Sequence, residues 1–253
     1  MLTRLPKHLK SSRYCCYKVE RIIMSRPVFI ALDFPDAKTT MSFLEKFNDL
    51  SEKPALKVGM ELYYSEGADF VRELRKQGFT IFLDLKLYDI PTTVGHAVAS
   101  LAKLDVQYLT VHAIGGSVML QQAVKNKGQK MKLLAVTQLT SFSEIDIQKT
   151  QLTTATMQES VLHLADIAYQ AGIDGTISSA QEAELIRQKI NDTFLRITPG
   201  IRLTGDSADD QARITTPLKA KQMGATGLVV GRSITKSDNP VQAYQRILTE
   251  WGN

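Results

Sequence analysis

Eight short apolar runs alternate with helix-like segments from residue 28 onwards, and this alternation limits the possible folds more than any other feature. The runs predict strands at 28–32, 55–58, 80–85, 107–112, 132–137, 174–178, 195–198 and 227–230. The spacing of apolar residues predicts helices at 37–47, 67–77, 92–103, 118–125, 156–170, 180–189, 210–222 and 240–251. Strands that alternate with helices form parallel βαβ units, which places the chain in the α/β class.

The number and size of these units predict a single (β/α)8 TIM barrel. Residues 25–253 hold the eight units, and a barrel of this kind takes about 250 residues. A doubly wound open sheet is the alternative, but it commonly carries Gly-x-Gly-x-x-Gly after its first strand. Asp33-Phe34-Pro35-Asp36 occupies that place here, which favours the barrel.

The net charge of the chain, +5, comes from its first 23 residues. This leader contains six Lys and Arg residues and one Glu, so the remaining residues have no net charge. The basic character of the chain therefore gives no sign of a nucleic-acid face on the body. Both cysteines, Cys15 and Cys16, also lie in the leader, so the body has neither a disulfide framework nor a cysteine metal site.

Residues 1–24 are expected to be a dispensable extension, because Met24-Ser25-Arg26-Pro27 resembles a natural start just before the first strand. A targeting segment and a nucleic-acid-binding arm are the alternatives for this basic, acid-poor leader. No apolar run reaches the roughly 18 residues of a membrane span, so no membrane partner is predicted.

Charged side chains stand where the first three predicted strands end. They are Asp33, Lys57 and the pair Asp84 and Lys86. Active sites of (β/α)8 barrels form at this end of the strands. Because side chains alternate along a strand, Asp84 and Lys86 are expected on one face, with Asp89 following. Neighbouring carboxylates favour the protonated form of Lys86, which is predicted to be a proton donor. A structural salt-bridge cluster is the alternative, and it is disfavoured because buried ion networks add little stability.

The loops after the last two strands are predicted to bind a phosphate, which often lies there in barrels. They read Pro199-Gly200-Ile201-Arg202 and Gly231-Arg232-Ser233-Ile234. Gly231 lets the backbone approach an anion closely, and Arg232 offers two parallel hydrogen bonds. A solvated surface arginine is the alternative for both arginines.

Two further features follow from the same strand ends. The stretch 199–213 is long for a barrel loop and is predicted to be a lid or binding loop. His112 ends the fourth strand, where a rim histidine with satisfied hydrogen bonds and a ligand contact are equally good interpretations.

Six motifs together closely resemble the orotidine 5′-phosphate decarboxylase family of the bacterial type. They are Ile30-Ala31-Leu32-Asp33, Leu56-Lys57-Val58-Gly59, Asp84-Leu85-Lys86-Leu87-Tyr88-Asp89-Ile90-Pro91-Thr92-Thr93, Val136-Thr137-Gln138-Leu139-Thr140-Ser141, Thr198-Pro199-Gly200-Ile201-Arg202 and Val230-Gly231-Arg232-Ser233-Ile234. The resemblance covers the body and leaves out the leader. It implies a carboxy-lyase that converts orotidine monophosphate to uridine monophosphate and carbon dioxide, in pyrimidine biosynthesis and without a cofactor. It also implies a cytoplasmic homodimer with active sites at the subunit interface.

The resemblance assigns roles to individual residues. Lys86 is the proton donor, Asp84 lies near the departing carboxylate, and Lys57 with Asp33 completes the network and binds the ribose. The catalytic Asp89 reaches into the active site of the neighbouring subunit, as does Thr93. The other expected substrate contacts are Ile90, Thr140 to the pyrimidine, and Arg202, Gln211, Gly231 and Arg232 to the phosphate.

Three other functions are weighed against this one. Related barrels that act on sugar phosphates, such as 3-keto-L-gulonate-6-phosphate decarboxylase or hexulose-phosphate synthase, share the Asp-x-Lys-x-x-Asp motif. They use Mg²⁺ and have an acid at the second strand tip, where this chain has Lys57. A non-catalytic nucleotide-binding barrel is disfavoured by the intact charged network. A nucleic-acid binder would have to act through the leader alone.

Overall fold

The computed structural model of the chain describes residues 26–205 and 214–252. The strands are β1 Val28–Leu32, β2 Ala55–Gly59, β3 Ile81–Leu87, β4 Tyr108–His112, β5 Lys132–Val136, β6 Gly175–Ile177, β7 Leu195–Thr198 and β8 Gly227–Val230. The α-helices are α1 Ala37–Leu44, α2 Met60–Lys76, α3 Pro91–Ala102, α4 Gly116–Asn126, α5 Glu144–Gln151, α6 Met157–Gln170, α7 Ala180–Lys189, α8 Pro217–Gln222, α9 Arg232–Thr235 and α10 Pro240–Trp251. Short 3₁₀ turns at Glu45–Phe47 and Ala113–Gly115 follow α1 and β4.

The eight strands close into one parallel barrel, which confirms the predicted fold. Each strand pairs with the next in the chain, and β8 pairs with β1 through Phe29 and Val229 among others. The inside of the barrel is filled by a small cluster that includes Phe29, Phe82 and Leu134. A larger apolar cluster lies between the strands and the surrounding helices. Because the apolar residues fill the middle of the barrel, its two ends are left for polar side chains.

Local sequence signals fix where several helices begin. Pro91, Pro217 and Pro240 each stand in the first turn, where the missing N–H costs nothing. The Asp36 side chain accepts a 2.7 Å hydrogen bond from the Thr39 N–H and caps α1. At the other end of the chain, the Trp251 indole N–H donates to the Arg26 carbonyl oxygen at 3.0 Å. This bond attaches the last helix to the entrance of β1.

The structure differs from the predicted elements at several places. A helical stretch that was not predicted precedes the predicted one within α2: Gly67, at φ 73° and ψ −167°, is non-helical and separates the two stretches, so the predicted start at residue 67 coincides with this break. α5 was not predicted, although Ser143 and Asp146 form a capping box there. β3 extends to Leu87, beyond the predicted end at residue 85.

The helix predicted at 210–222 begins at Pro217, and residues 210–213 lie outside the described part. Residues 1–25, which include the leader, lie outside it as well. Among the described helices, none combines the length and apolar character needed to cross a membrane.

Candidate active site

Four charged side chains form a continuous chain of ion pairs at the carboxyl ends of β1, β2 and β3. Lys57 Nζ lies 3.1 Å from Asp33 Oδ1 and 3.9 Å from Asp84 Oδ2. Lys86 Nζ lies 3.0 Å from the other oxygen of Asp84. The side chains of Lys57 and Asp84 are 10% and 17% exposed, so the centre of the network is shielded from water. The predicted alternation of carboxylates and ammonium groups is therefore present.

An irregularity in β3 brings Asp84 and Lys86 together. The pairing of β3 with β4 skips from Leu83↔Leu109 to Leu87↔Val111, and Lys86 has φ 50° in the left-handed region. Such a conformation is uncommon for a residue other than glycine and marks a strained position. The two side chains do meet, as predicted, but regular alternation along an extended strand does not explain their meeting.

A cavity of about 450 Å³ opens next to this network. Most of the predicted site residues line it: Asp33, Lys57, Asp84, Lys86, Thr140, Arg202, Gly231 and Arg232. Among the described lining residues, five are Lys or Arg and two are Asp, so the cavity favours an anion. Its volume is that of a site for a small molecule.

The loops after β7 and β8 form another part of the cavity wall. The Arg202 N–H donates to the Thr215 carbonyl oxygen at 2.9 Å, and the Thr215 N–H donates to the Gly200 carbonyl oxygen at 3.0 Å. Gly200 has φ 76°, a conformation that glycine adopts without strain. Ser233 Oγ donates to the Ile201 carbonyl oxygen at 3.4 Å and joins the two loops. Arg202 is thereby held at the cavity with 5% of its surface exposed.

The middle of the loop after β7 is not described. Gln211 falls on residues 206–213, so the predicted phosphate contact of Gln211 and the predicted lid lie outside the described part of the chain.

The loop after β5, which carries Thr140, is fixed by a buried amide. Gln138 Nε2 donates to Ser160 Oγ at 2.8 Å and to Gln151 Oε1 at 3.2 Å. Gln151 Nε2 donates back to Gln138 Oε1 at 3.1 Å. Through these bonds α5 and α6 hold the strand end in place. Sequence reasoning did not single out Gln138, which also lines the cavity together with Lys236. Its position next to the predicted end of β5 was the available signal.

Three predicted site residues are not among the described residues that line the cavity: Asp89, Ile90 and Thr93. Asp89 Oδ1 accepts a 2.7 Å hydrogen bond from the Ile90 N–H, and the Ile90 side chain is 66% exposed. These residues follow the charged network closely in the chain without lining its cavity.

His112 lies close to the network without lining the cavity. Its ring centre is 6.0 Å from that of Tyr88, and no described residue hydrogen-bonds its buried Nδ1. Burial, and then the positive charge of Lys86, lower the pKa of His112. The lack of a described partner for Nδ1 contradicts the interpretation as a rim histidine with satisfied hydrogen bonds, and the ligand contact stays a prediction.

The closed barrel and the cation-rich cavity at its carboxyl end define a (β/α)8-barrel protein with an enzyme-type site for a small anionic molecule. Residues 26–247 match the orotidine 5′-phosphate decarboxylase / HUMPS family. The chain belongs to this family, which confirms the resemblance seen in the six motifs.

Individual relatives agree with this assignment. The chain is 58% identical over 228 residues to an orotidine 5′-phosphate decarboxylase of Oenococcus oeni, an alignment that covers 90% of this chain and 100% of the relative. It is 49% identical to the Listeria innocua enzyme of that name, over 90% of this chain and 99% of the relative. A crystal structure of orotidine 5′-phosphate decarboxylase from Lactobacillus acidophilus superimposes with a TM-score of 0.81 at 40% identity, covering 90% and 100% of the two chains.

Proposed function

We propose that this chain decarboxylates orotidine 5′-phosphate to uridine 5′-phosphate and carbon dioxide, a step of pyrimidine nucleotide synthesis. The observation that carries the proposal is the position of Lys86 Nζ, 3.0 Å from Asp84 Oδ1 in a cavity that Arg202 and Arg232 also line. The cavity thus offers an ammonium group for chemistry and guanidinium groups for a phosphate. The relatives of this name support the choice of substrate.

The chemistry requires a group of this kind. Loss of carbon dioxide from C6 of the pyrimidine leaves an electron pair that the ring's π system does not delocalise. The enzyme must therefore lower the barrier by on the order of 20 kcal/mol. In the proposed mechanism the Lys86 ammonium stabilises the developing negative charge and then gives its proton to C6. Asp84 lies beside the departing carboxylate and adds repulsion that is relieved as carbon dioxide leaves.

The rest of the cavity binds the substrate away from the reacting carbon. Asp33 and Lys57 are assigned to the ribose, and Thr140 is assigned to the pyrimidine. The phosphate is assigned to Arg202, Gly231 and Arg232, together with Gln211 outside the described residues. Binding energy from the remote phosphate then helps to form the reactive geometry at C6.

We further propose that the chain forms a homodimer whose subunits share active sites. Large apolar side chains are exposed directly after β2, β3 and β4, three consecutive strands of the barrel. They are Met60, Tyr64, Tyr88, Ile90, Ile114 and Val118, with 38–70% of their surface exposed. An apolar surface of this kind is typical of a protein interface. Asp89 and Thr93 are close in the chain to Tyr88 and Ile90, which supports a role for them in the partner's site.

The Mg²⁺-dependent sugar-phosphate reaction is less compatible with this site. Lys57 Nζ lies between Asp33 and Asp84, where its positive charge would repel a metal ion held by those carboxylates. Decarboxylation that continues in EDTA is therefore expected. Independence of any cofactor and a cytoplasmic location remain predictions from the sequence.

Ultraviolet monitoring of orotidine 5′-phosphate consumption tests the proposal. Lys86→Ala should lower kcat by several orders of magnitude, because the ammonium group acts in the transition state. Lys132→Ala is the matched control, since Lys132 also pairs with an aspartate, at 3.8 Å, but at the other end of the barrel. The control should keep the parent's activity. A Lys86→Ala enzyme within about tenfold of the parent would contradict the proton-donor role.

Subunit mixing tests the shared active site. Asp89→Ala and Lys86→Ala proteins should each be nearly inactive, and a mixed dimer should regain activity because one of its two sites has both groups intact. Subunit exchange is verified with a tag on one variant. Verified exchange without recovered activity would show that Asp89 acts within its own subunit or not at all.

A further inference from the structure

Thr110 hydrogen-bonds to both Asp84 and Lys86, although no sequence motif drew attention to it. It lies on β4, next to the irregular part of β3, and its side chain is fully buried. Its hydroxyl makes two hydrogen bonds: Thr110 Oγ1 accepts from the Lys86 backbone N–H at 2.8 Å and contacts Asp84 Oδ1 at 3.0 Å. One small group therefore contacts both members of the catalytic pair.

The direction of these two bonds follows from chemistry. A backbone N–H can only donate, so the Thr110 oxygen must accept from Lys86. An ionised carboxylate can only accept, so the one hydroxyl proton must point at Asp84. This proton approaches the same oxygen that pairs with Lys86 Nζ at 3.0 Å. The orientation of the Asp84 carboxylate is thus fixed by Thr110 on one side and by the lysines on the other.

The same hydroxyl supports the strained backbone of β3. Two residue pairs, Leu83↔Leu109 and Leu87↔Val111, flank the irregular part of the ladder. Between them β3 has three residues, from Asp84 to Lys86, whereas β4 has only Thr110. The ladder is interrupted there, and Lys86 has φ 50°. A buried N–H without a partner would add a desolvation penalty to that strain. The Thr110 oxygen provides the partner and so stabilises the backbone conformation from which the Lys86 side chain extends.

We propose that Thr110 is a positioning residue for the decarboxylation, holding the Asp84 carboxylate and the Lys86 backbone in their reactive arrangement without touching the substrate. This inference rests on the roles proposed above for Asp84 and Lys86. It adds to the site a buried hydroxyl that does not line the cavity.

The test compares kcat and KM in four variants. Thr110→Val has nearly the same shape but no hydroxyl, and it should lower kcat by about 10- to 100-fold, the effect of one lost buried hydrogen-bond partner. Its KM should change little, because the phosphate-binding loops are intact. Thr110→Ser retains the hydroxyl and should stay within about threefold of the parent. Thr176→Val, which removes another fully buried strand hydroxyl, should leave kcat unchanged. Lys86→Ala is measured alongside.

A double-mutant comparison separates positioning from stability. In an Asp84→Ala background, Thr110→Val should lower kcat by a clearly smaller factor than in the parent, because one of its two partners is already gone. A structural role alone would lower the melting temperature and leave this coupling at zero.

The outcomes are distinct. Parent-like kcat in Thr110→Val, or an equal loss in Thr110→Ser, would overturn the inference, and the proposed function would stand if Lys86→Ala is inactive. An active Lys86→Ala enzyme would instead overturn the function on which the inference rests. If Thr110→Val does not fold, the kcat of Thr110→Cys is measured instead and decides whether Thr110 is a positioning residue. Its weakly hydrogen-bonding thiol should give an intermediate kcat, and a parent-like value would count against positioning.

Discussion

Two carboxylates, each between two lysines, lie at opposite ends of the barrel. Asp84, at the carboxyl end, is 3.0 Å from Lys86 and 3.9 Å from Lys57. Asp174, at the amino end, pairs with Lys127 and lies 3.8 Å from Lys132. Their side chains are 17% and 18% exposed, so burial does not distinguish them. Ion pairing and burial alone therefore do not identify the active end.

The surroundings of the two carboxylates do distinguish them. The amino end holds the larger cavity, about 820 Å³, against about 450 Å³ at the carboxyl end. Yet its buried Arg196 donates to four backbone carbonyl oxygens of the protein itself. Asp174 also accepts the Leu133 N–H at 2.8 Å, which fixes it to β5. Charges at the amino end thus bind groups of the protein itself, whereas those at the carboxyl end line one cavity with the loops after β7 and β8.

The largest expected effect is a difference in kcat between variants of these two aspartates. Asp84→Asn should lower kcat by about 10²- to 10⁴-fold, since it removes the charge that we propose acts beside the substrate carboxylate. Asp174→Asn should leave kcat unchanged and lower the free energy of unfolding by about 1–3 kcal/mol, because a buried ion pair loses its negative partner.

Steady-state kinetics and urea unfolding of both proteins provide the measurement for the two carboxylates. Equal kinetic losses in the two variants would show that the ends of the barrel do not differ in the proposed way.

The fold could be predicted from the sequence because its signals are local and repeated. Each strand is a short apolar run, and proline or a capping residue marks the start of several helices. α5 was missed because its residues, Glu144–Gln151, have little apolar character and bury only Ile147. The boundary predicted at Gly67 matches a break within α2, but the helical residues before it were missed. Weak amphipathicity is the physical reason why α5 was missed.

The charged part of the site was equally predictable, since charges at strand ends are conspicuous. Thr110 and Gln138 were not, because a threonine and a glutamine in or beside an apolar strand have no distinctive pattern. Their importance depends on tertiary contacts: the bulge in β3 for Thr110, and the neighbouring helices for Gln138. The role predicted for Asp89 involves a partner subunit, which only the family resemblance suggested.

A smaller effect concerns two titratable groups on β4, one near each end of the barrel. Burial and then Lys86 lower the pKa of His112, and burial and then Asp174 raise the pKa of Tyr108. Both side chains are therefore neutral in the folded protein near neutral pH. Because unfolded histidine takes up a proton near pH 6.5, stability should decrease as the pH falls below that value and unfolded His112 becomes charged.

Urea unfolding at about pH 7.5 and about pH 5.5 measures this dependence. His112→Gln should lose less stability between the two values than the parent does, since its side chain does not titrate. An identical loss in both proteins would assign the pH dependence to other groups.

The smallest expected effect compares a glycine beside Lys57 with one in the barrel wall. A Cβ added at Gly59 would lie 3.1 Å from Lys57 Nζ and 3.7 Å from Asp33 Oδ1. The end of a lysine side chain can move by a few tenths of an ångström, so Gly59→Ala should fold normally and lower kcat/KM by less than about tenfold.

A Cβ at Gly175 would instead clash with the backbone carbonyl of Leu195, which cannot yield in the same way. Gly175→Ala should therefore reduce the melting temperature while its folded fraction keeps the parent's kinetics. Thermal melts and kinetics on both variants check this, and a kinetic defect confined to Gly175→Ala would reverse the roles assigned to the two positions.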